Sequence, residues 1–195
     1  KQLSLSYILI FISFSSLALG FYFDENSAGA GSYNGDIETV WKNIQIFLNN
    51  DLSSSINHKD YITSRTPLIY IFHEIFNPFL QSIFTYRISI FVISLSLPIL
   101  FYFCLREKFT KEESVLLLLI SSTICLSPYY RTSSIWGLEE NFGLIFLLLA
   151  YLSLNKFLKN NKTSGHQIHL SLFLTTLFSS SCVYFDQKLI IIPII

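Results

Sequence analysis

The chain has 195 residues, 51% of them hydrophobic and only 13% charged. Soluble domains carry about 25% charged residues, so much of this surface meets something other than water. The formal net charge is zero and the mean hydropathy +0.50, which leaves nucleic acid no electrostatic hold and points to membrane lipids as the surroundings.

Leu3 to Phe23 is an apolar run without a charge. At 1.5 Å per residue it covers about 31 Å, the thickness of a bilayer core. A signal peptide has an apolar region of about 7–15 residues, so the length predicts a retained crossing over 3–23 rather than a cleaved leader. Asp24-Glu25 closes the run, two adjacent carboxylates at a membrane exit.

Residues 24–85 read as one outer-face segment. Asn26 to Asp36 is rich in Gly and Ser, a turn-forming loop. Ile37, Val40, Trp41, Ile44, Phe47 and Leu48 then recur at helical spacing, which predicts an amphipathic helix over about 37–50, lying in the interfacial plane with Trp41 at headgroup level. Leu68 to Phe84 is apolar but interrupted by His73, Glu74, Asn77 and Pro78, so a second interfacial helix over 67–84 is expected instead of a crossing.

Four further crossings follow, over 86–105, 114–127, 142–158 and 170–185. Pro98 predicts a kink in the first of these. Residues 129–141 read as a polar loop. Cys104, Cys125 and Cys182 sit in apolar stretches far apart in sequence and read as small buried hydrophobes, not as a disulfide or metal site. With no Met and an apolar run at Leu189 to Ile195, the chain reads as a fragment of a larger protein. The expected fold is therefore all-α, a multi-pass transmembrane bundle.

Sidedness follows from the cations. Short cytoplasmic loops concentrate Lys and Arg, which places Arg106, Lys108, Lys111, Lys156, Lys159 and Lys162 inside. Five crossings then put Asp24-Glu25, the 129–141 loop and Asp186 to Lys188 together on the outer face. Asp24 and Glu25 either terminate a helix as solvated acids or serve as a general base toward a hydroxyl. Glu139, Glu140 and Asn141 either open a helix or orient a substrate. Arg65, Arg131 and Lys188, outer-face cations against the usual bias, either snorkel or bind phosphate oxygens. His58 and His73 have no partner at metal-ligand spacing.

The order of these pieces resembles the amino-terminal half of the GT-C glycosyltransferases, in the branch with protein O-mannosyltransferases and lipid A aminoarabinose transferases. In that family an acidic pair ends the first helix on the outer face, as Asp24-Glu25 does. A Lys-Pro-Pro-Leu-like motif opens the second interfacial helix, where this chain has Arg65-Thr66-Pro67-Leu68. An Arg-led crossing, a basic turn and a return crossing ending in Pro follow, matched by Arg87, Arg106 to Lys111 and Pro128. Glu140-Asn141, after Ser127 to Arg131, looks like the second acidic motif. Ser179 to Ser181, Lys188 and Pro193 look like the last. The chain departs from the family pattern at Ser64, where an acid is common, at Arg65 for Lys, and at Glu139-Glu140-Asn141 for a lone Asp.

The resemblance implies an inverting transferase that takes a sugar from a polyprenyl or dolichyl phosphate and gives it to the hydroxyl of a lipid, glycan or protein. Asp24 or Glu25 is then the catalytic base. Arg65, Arg131 and Lys188 meet the donor phosphate, and Glu140, with Glu139 and Asn141, orients the acceptor or a bridging cation. The sequence requires no cofactor and indicates no protein-held metal, though a divalent cation is compatible with the acids. A bacterial inner membrane is favoured over an endoplasmic reticulum. The rival readings are a multi-pass transporter or flippase, which needs polar residues within several crossings, and a non-catalytic membrane scaffold.

Overall fold

The computed structural model describes residues 2–26, 35–62, 66–159 and 165–194, and among them every regular element is helical. In chain order these are α1 (Gln2–Tyr22), α2 (Ile37–Asn49), α3 (Leu52–Ile56), α4 (Leu68–Phe76), α5 (Ile83–Ser94), α6 (Ser96–Lys108), α7 (Ser114–Ser122), α8 (Pro128–Trp136), α9 (Glu140–Lys159) and α10 (Gly165–Phe185). Short 3₁₀ turns follow α7 at Thr123–Leu126 and α10 at Gln187–Ile194.

Four segments are long and apolar enough to cross a membrane: Ser4–Tyr22, Ile83–Lys108, Glu140–Lys159 and Gln167–Phe185. Ser114–Leu126 and Pro128–Trp136, bent by 66°, make a fifth if counted as one span. The longest helix-to-helix seam joins α9 and α10; α6 packs on α9 and α7, and α7 on α1. Large apolar side chains such as Phe11, Val92, Phe103 and Phe173 stay exposed along the spans, as lipid contact requires.

The larger buried core lies at the end of the bundle where α1 and α10 finish and α5 and α9 begin. There Val40, Ile44 and Phe47 of α2, Ile69 and Tyr70 of α4, Tyr86 and Ile90 of α5 and Ile135 and Trp136 of α8 pack with Phe142 and Phe185. The apolar face of α2 is therefore turned onto protein, not outward toward lipid, and Trp41 packs against Tyr86 with ring centroids 5.8 Å apart. Asn43 ties this cap together. Its side-chain amide donates to Ile62 O and Tyr70 Oη, and its carbonyl accepts from Ile62 N.

The segment 67–84 is not one helix. It stops at Phe76; Asn77 donates to Ser89 Oγ and lies 3.1 Å from His73 Nδ1, and Ser82 with Thr85 forms a capping box that starts α5. His73 is fully buried, and desolvation lowers its pKa to about 3, so the ring is neutral.

Pro98 acts one turn upstream. It has no N–H to give Ser94 O, and the helix breaks at Leu95 between α5 and α6. Tyr130 Oη donates to the released Ser94 carbonyl at 2.9 Å, which ties α8 to this span.

Residues 129–141, expected as a loop, hold a nine-residue helix instead. Pro128 sits at its first position, where the missing N–H costs nothing. Gly137 stops it in the left-handed region at φ 70°, with Leu138 N donating to Ser133 O. Tyr130 to Trp136 are all buried. Burial of a polar helix is costly unless its hydrogen bonds are met; Thr132 Oγ1 has no partner among the described residues, while the other polar side chains of α8 find theirs mainly in α1, α5, α9 and the 3₁₀ turn before α8.

Candidate functional site

The end of α1 is a Schellman stop. Glu25 N donates to Gly20 O at 2.8 Å and Asp24 N to Phe21 O at 3.4 Å. That motif puts its penultimate residue in the left-handed region, usually glycine. Here it is Asp24, at φ 52° the one non-glycine residue with positive φ among those described. Such a conformation costs an L-residue about 1–2 kcal/mol, least for Asn and Asp.

The two carboxylates have different fates. Asp24 Oδ1 accepts from Arg87 Nη2 at 2.6 Å; the side chain is 58% exposed and, among the described residues, nothing bonds to Oδ2. Glu25 turns inward and meets Arg131 through both oxygens, with Nε to Oε1 at 2.8 Å and an Nη2 to Oε2 ion pair. Arg131 is buried, and its other N–H groups go to Ser16 Oγ, Ser16 O and Cys125 O. All five donors of this guanidinium are thus directed at protein acceptors. Trp136 Nε1 donates to Glu25 O at 2.9 Å.

This clasp explains Gly20. A Cβ there would lie 2.5 Å from Glu25 Oε2 and 2.6 Å from Arg131 Nη2, so only glycine lets the pair close against the helix. Along α1 below it runs a groove of about 630 Å³, lined by Phe11, Ile12, Ser15, Ser16, Leu19 and Phe23, with Glu25 and Arg131 at its head.

On the other flank of α8 is a polar cavity of about 250 Å³, lined by Thr66, Glu139, Glu140, Tyr184, Phe185, Asp186, Gln187 and Lys188. Glu140 Oε2 accepts from Ser133 Oγ at 3.0 Å. Lys188 Nζ lies 4.0 Å from Glu140 Oε1 and 5.3 Å from the Tyr129 ring centre, on a side chain 70% exposed. Asp186 accepts from Tyr129 Oη at 2.7 Å and from Lys188 N at 3.1 Å. Gly143 lets α9 approach this corner, since a Cβ there would lie 2.7 Å from Asp186 Cβ.

Asn141 belongs to neither cluster. It is fully buried and directs its amide at Ser94 Oγ, Ser134 Oγ and Tyr130 O, locking α9 to α5 and α8. Arg65 lies outside the described residues. Asp24, Glu25, Arg131, Glu139, Glu140 and Lys188 therefore share one end of the bundle, around a helix about 10–12 Å in diameter. At the opposite end Glu107 of α6 pairs with Lys159 of α9, near Arg106 and Lys156.

Three residues of this region escape a reading of the sequence, Arg87, Ser133 and Trp136, and Asp186 is read there only as part of an outer-face segment. Arg87 reads there only as the head of a crossing. The available signal was a charge balance, because two acids leaving a low-dielectric helix need cations from neighbouring helices. Among the described residues no group of three His, Cys, Asp or Glu is arranged to hold a metal ion. No family model, curated protein or solved structure matches the chain.

Proposed function

We propose that the chain is a GT-C-like membrane glycosyltransferase, moving a sugar from a polyprenyl or dolichyl phosphate to an acceptor hydroxyl on the outer face. The observation that carries this reading is Asp24. It is an acid held in a conformation that favours glycine, with one oxygen fixed by a cation and the other without a partner among the described residues. Strain of that kind gathers where a side chain has work to do.

In this reading Asp24 Oδ2 takes the proton of the acceptor hydroxyl while that oxygen bonds to the anomeric carbon. The bond from that carbon to the phosphate oxygen breaks on the opposite face, so the configuration inverts. The lipid phosphate leaves with the bonding pair and requires positive charge nearby. Lys188, exposed and only loosely paired, supplies it together with Arg65. Arg131 is committed to Glu25, so its part is to hold the end of α1 in place. Glu140, steadied by Ser133, and Glu139 orient the acceptor hydroxyls or a bridging divalent cation. The hydrocarbon chain of the donor lies in the groove along α1.

The basic end carrying Arg106, Lys108, Lys156 and Lys159 is cytoplasmic by charge, which makes the acid end periplasmic in a bacterial inner membrane or luminal in an endoplasmic reticulum. A transporter or flippase fits less well. Asp, Glu, Lys and Arg are absent from α10 and from the described part of α1, and in α5, α6 and α9 they cluster near the ends.

The test is Asp24→Asn in the full-length protein, assayed in membranes with labelled polyprenyl-phosphate pentoses and hexoses. Loss of a general base lowers transfer by about 10²–10⁴-fold. Transfer at the unaltered rate removes Asp24 from the mechanism.

A further inference from the structure

We infer that Arg87 is a positioning residue for Asp24, an inference that rests on the reading of Asp24 as the base. Arg87 stands in the first turns of α5 with its side chain only 13% exposed. Four contacts immobilise its guanidinium. Nε donates to Ile135 O at 3.0 Å, and Nη2 donates to Asp24 Oδ1 at 2.6 Å. The plane is wedged between rings, its central carbon 4.4 Å from the Trp136 centroid and 5.4 Å from that of Phe21.

A surface Arg–Asp pair is a loose association of two long side chains. This one is not, because the cation is fixed by α8 and by Phe21 before it meets the acid. Asp24 has a short side chain on a backbone pinned by the Schellman stop. With Oδ1 tied to a stationary donor, rotation of the carboxylate is restrained, and on a side chain 58% exposed Oδ2 is left for substrate. The second acid shows the contrast. Glu25 is held through both oxygens, so it keeps its geometry but offers no lone oxygen along the same line. Arg87 thereby decides which of two adjacent carboxylates is presented to substrate, and at what angle. A base displaced by about 1 Å loses on the order of 10²-fold in rate.

The role separates from simple structural support by its kinetics. Substrate binding to the polar cavity and the α1 groove does not involve Arg87, so kcat falls while KM holds. Lysine keeps the charge but cannot donate to both Ile135 O and Asp24 while stacking on Trp136, so Arg87→Lys recovers little. Free guanidinium ion can refill the site left by Arg87→Ala, whereas ammonium has neither the fork nor the plane.

The experiment compares Arg87→Gln, Arg87→Lys, Arg87→Ala, Asp24→Asn and the double variant Asp24→Asn/Arg87→Gln. Each is made in the full-length protein in membranes, with the same labelled polyprenyl-phosphate sugars. Arg87→Gln lowers kcat by about 10²-fold with KM little changed. In the Asp24→Asn background it costs nothing further, because residues that act as a unit do not add. Millimolar guanidinium restores part of kcat to Arg87→Ala and equimolar ammonium does not. A loss that adds to that of Asp24→Asn, a change confined to KM, or equal rescue by ammonium overturns the positioning role while leaving Asp24 as base. Full activity of Asp24→Asn, or no transfer by the unaltered protein, overturns the base and the positioning role together.

Discussion

The two ends of the bundle contain the same residue types and use them in opposite ways. At the basic end Glu107 and Lys159 pair with side chains 42% and 60% exposed. At the acid end Arg131 and Glu25 pair with side chains 8% and 34% exposed, and Arg131 makes bonds to α1 and to the 3₁₀ turn as well. Surface pairs contribute about 0–1 kcal/mol. Removing one partner of a buried pair costs about 3–5 kcal/mol, because the other charge is stranded. The comparison teaches that charge at the basic end stays at the surface and adds little to packing, whereas at the acid end it sets the architecture.

The contrast can be broken first by accessibility, where the expected effect is all or none. Single cysteines replacing Asp24 and Glu140 react with a membrane-impermeant thiol reagent from the same compartment. A cysteine at Glu107 reacts only from the other. Reaction of positions 24 and 140 from opposite sides removes the common site.

Stability sharpens it next. Arg131→Met removes the bidentate cation from Glu25 and withdraws donors from Ser16 O and Cys125 O, for an expected loss of about 2–4 kcal/mol in a denaturant titration of the detergent-solubilised protein. Gly20→Ala forces a methyl into the same clasp, for about 1–3 kcal/mol. The smallest effect belongs to the other end. Glu107→Gln changes stability by about 1 kcal/mol or less. If Glu107→Gln costs as much as Arg131→Met, the two ends are alike and the contrast fails.

Much of the fold is legible in the sequence. Long uncharged runs mark the candidate spans, and helical spacing marks α2. Pro98 signals its break, although not that Tyr130 takes the released carbonyl. The acid step at Asp24-Glu25 stands out by its place at the end of an apolar run. Less legible is α8. Pro128 to Trp136 has no apolar stripe, and its Arg, Ser and Thr residues look solvated until Ser16, Glu25 and Glu140 stand beside them. Those partners lie up to 115 residues away in sequence. Local pattern has no access to such pairings, which is also why Arg87 reads only as the head of a crossing and Arg131 as a snorkelling cation or a phosphate ligand. The amphipathic face of α2 misleads differently. Periodicity tells that one side seeks apolar company, but not whether lipid or α4 provides it.

The bend before α8 bears on the membrane itself. Nine α-helical residues at 1.5 Å and four 3₁₀ residues at about 2.0 Å give Ser114–Leu126 a length of about 21 Å, against a hydrocarbon core of about 30 Å. A segment that short is accommodated by thinning of the surrounding lipid or by water entering above it. This segment packs beside α1, and in the function proposed above thinner lipid there lets the donor approach the carboxylates without being lifted clear of the bilayer.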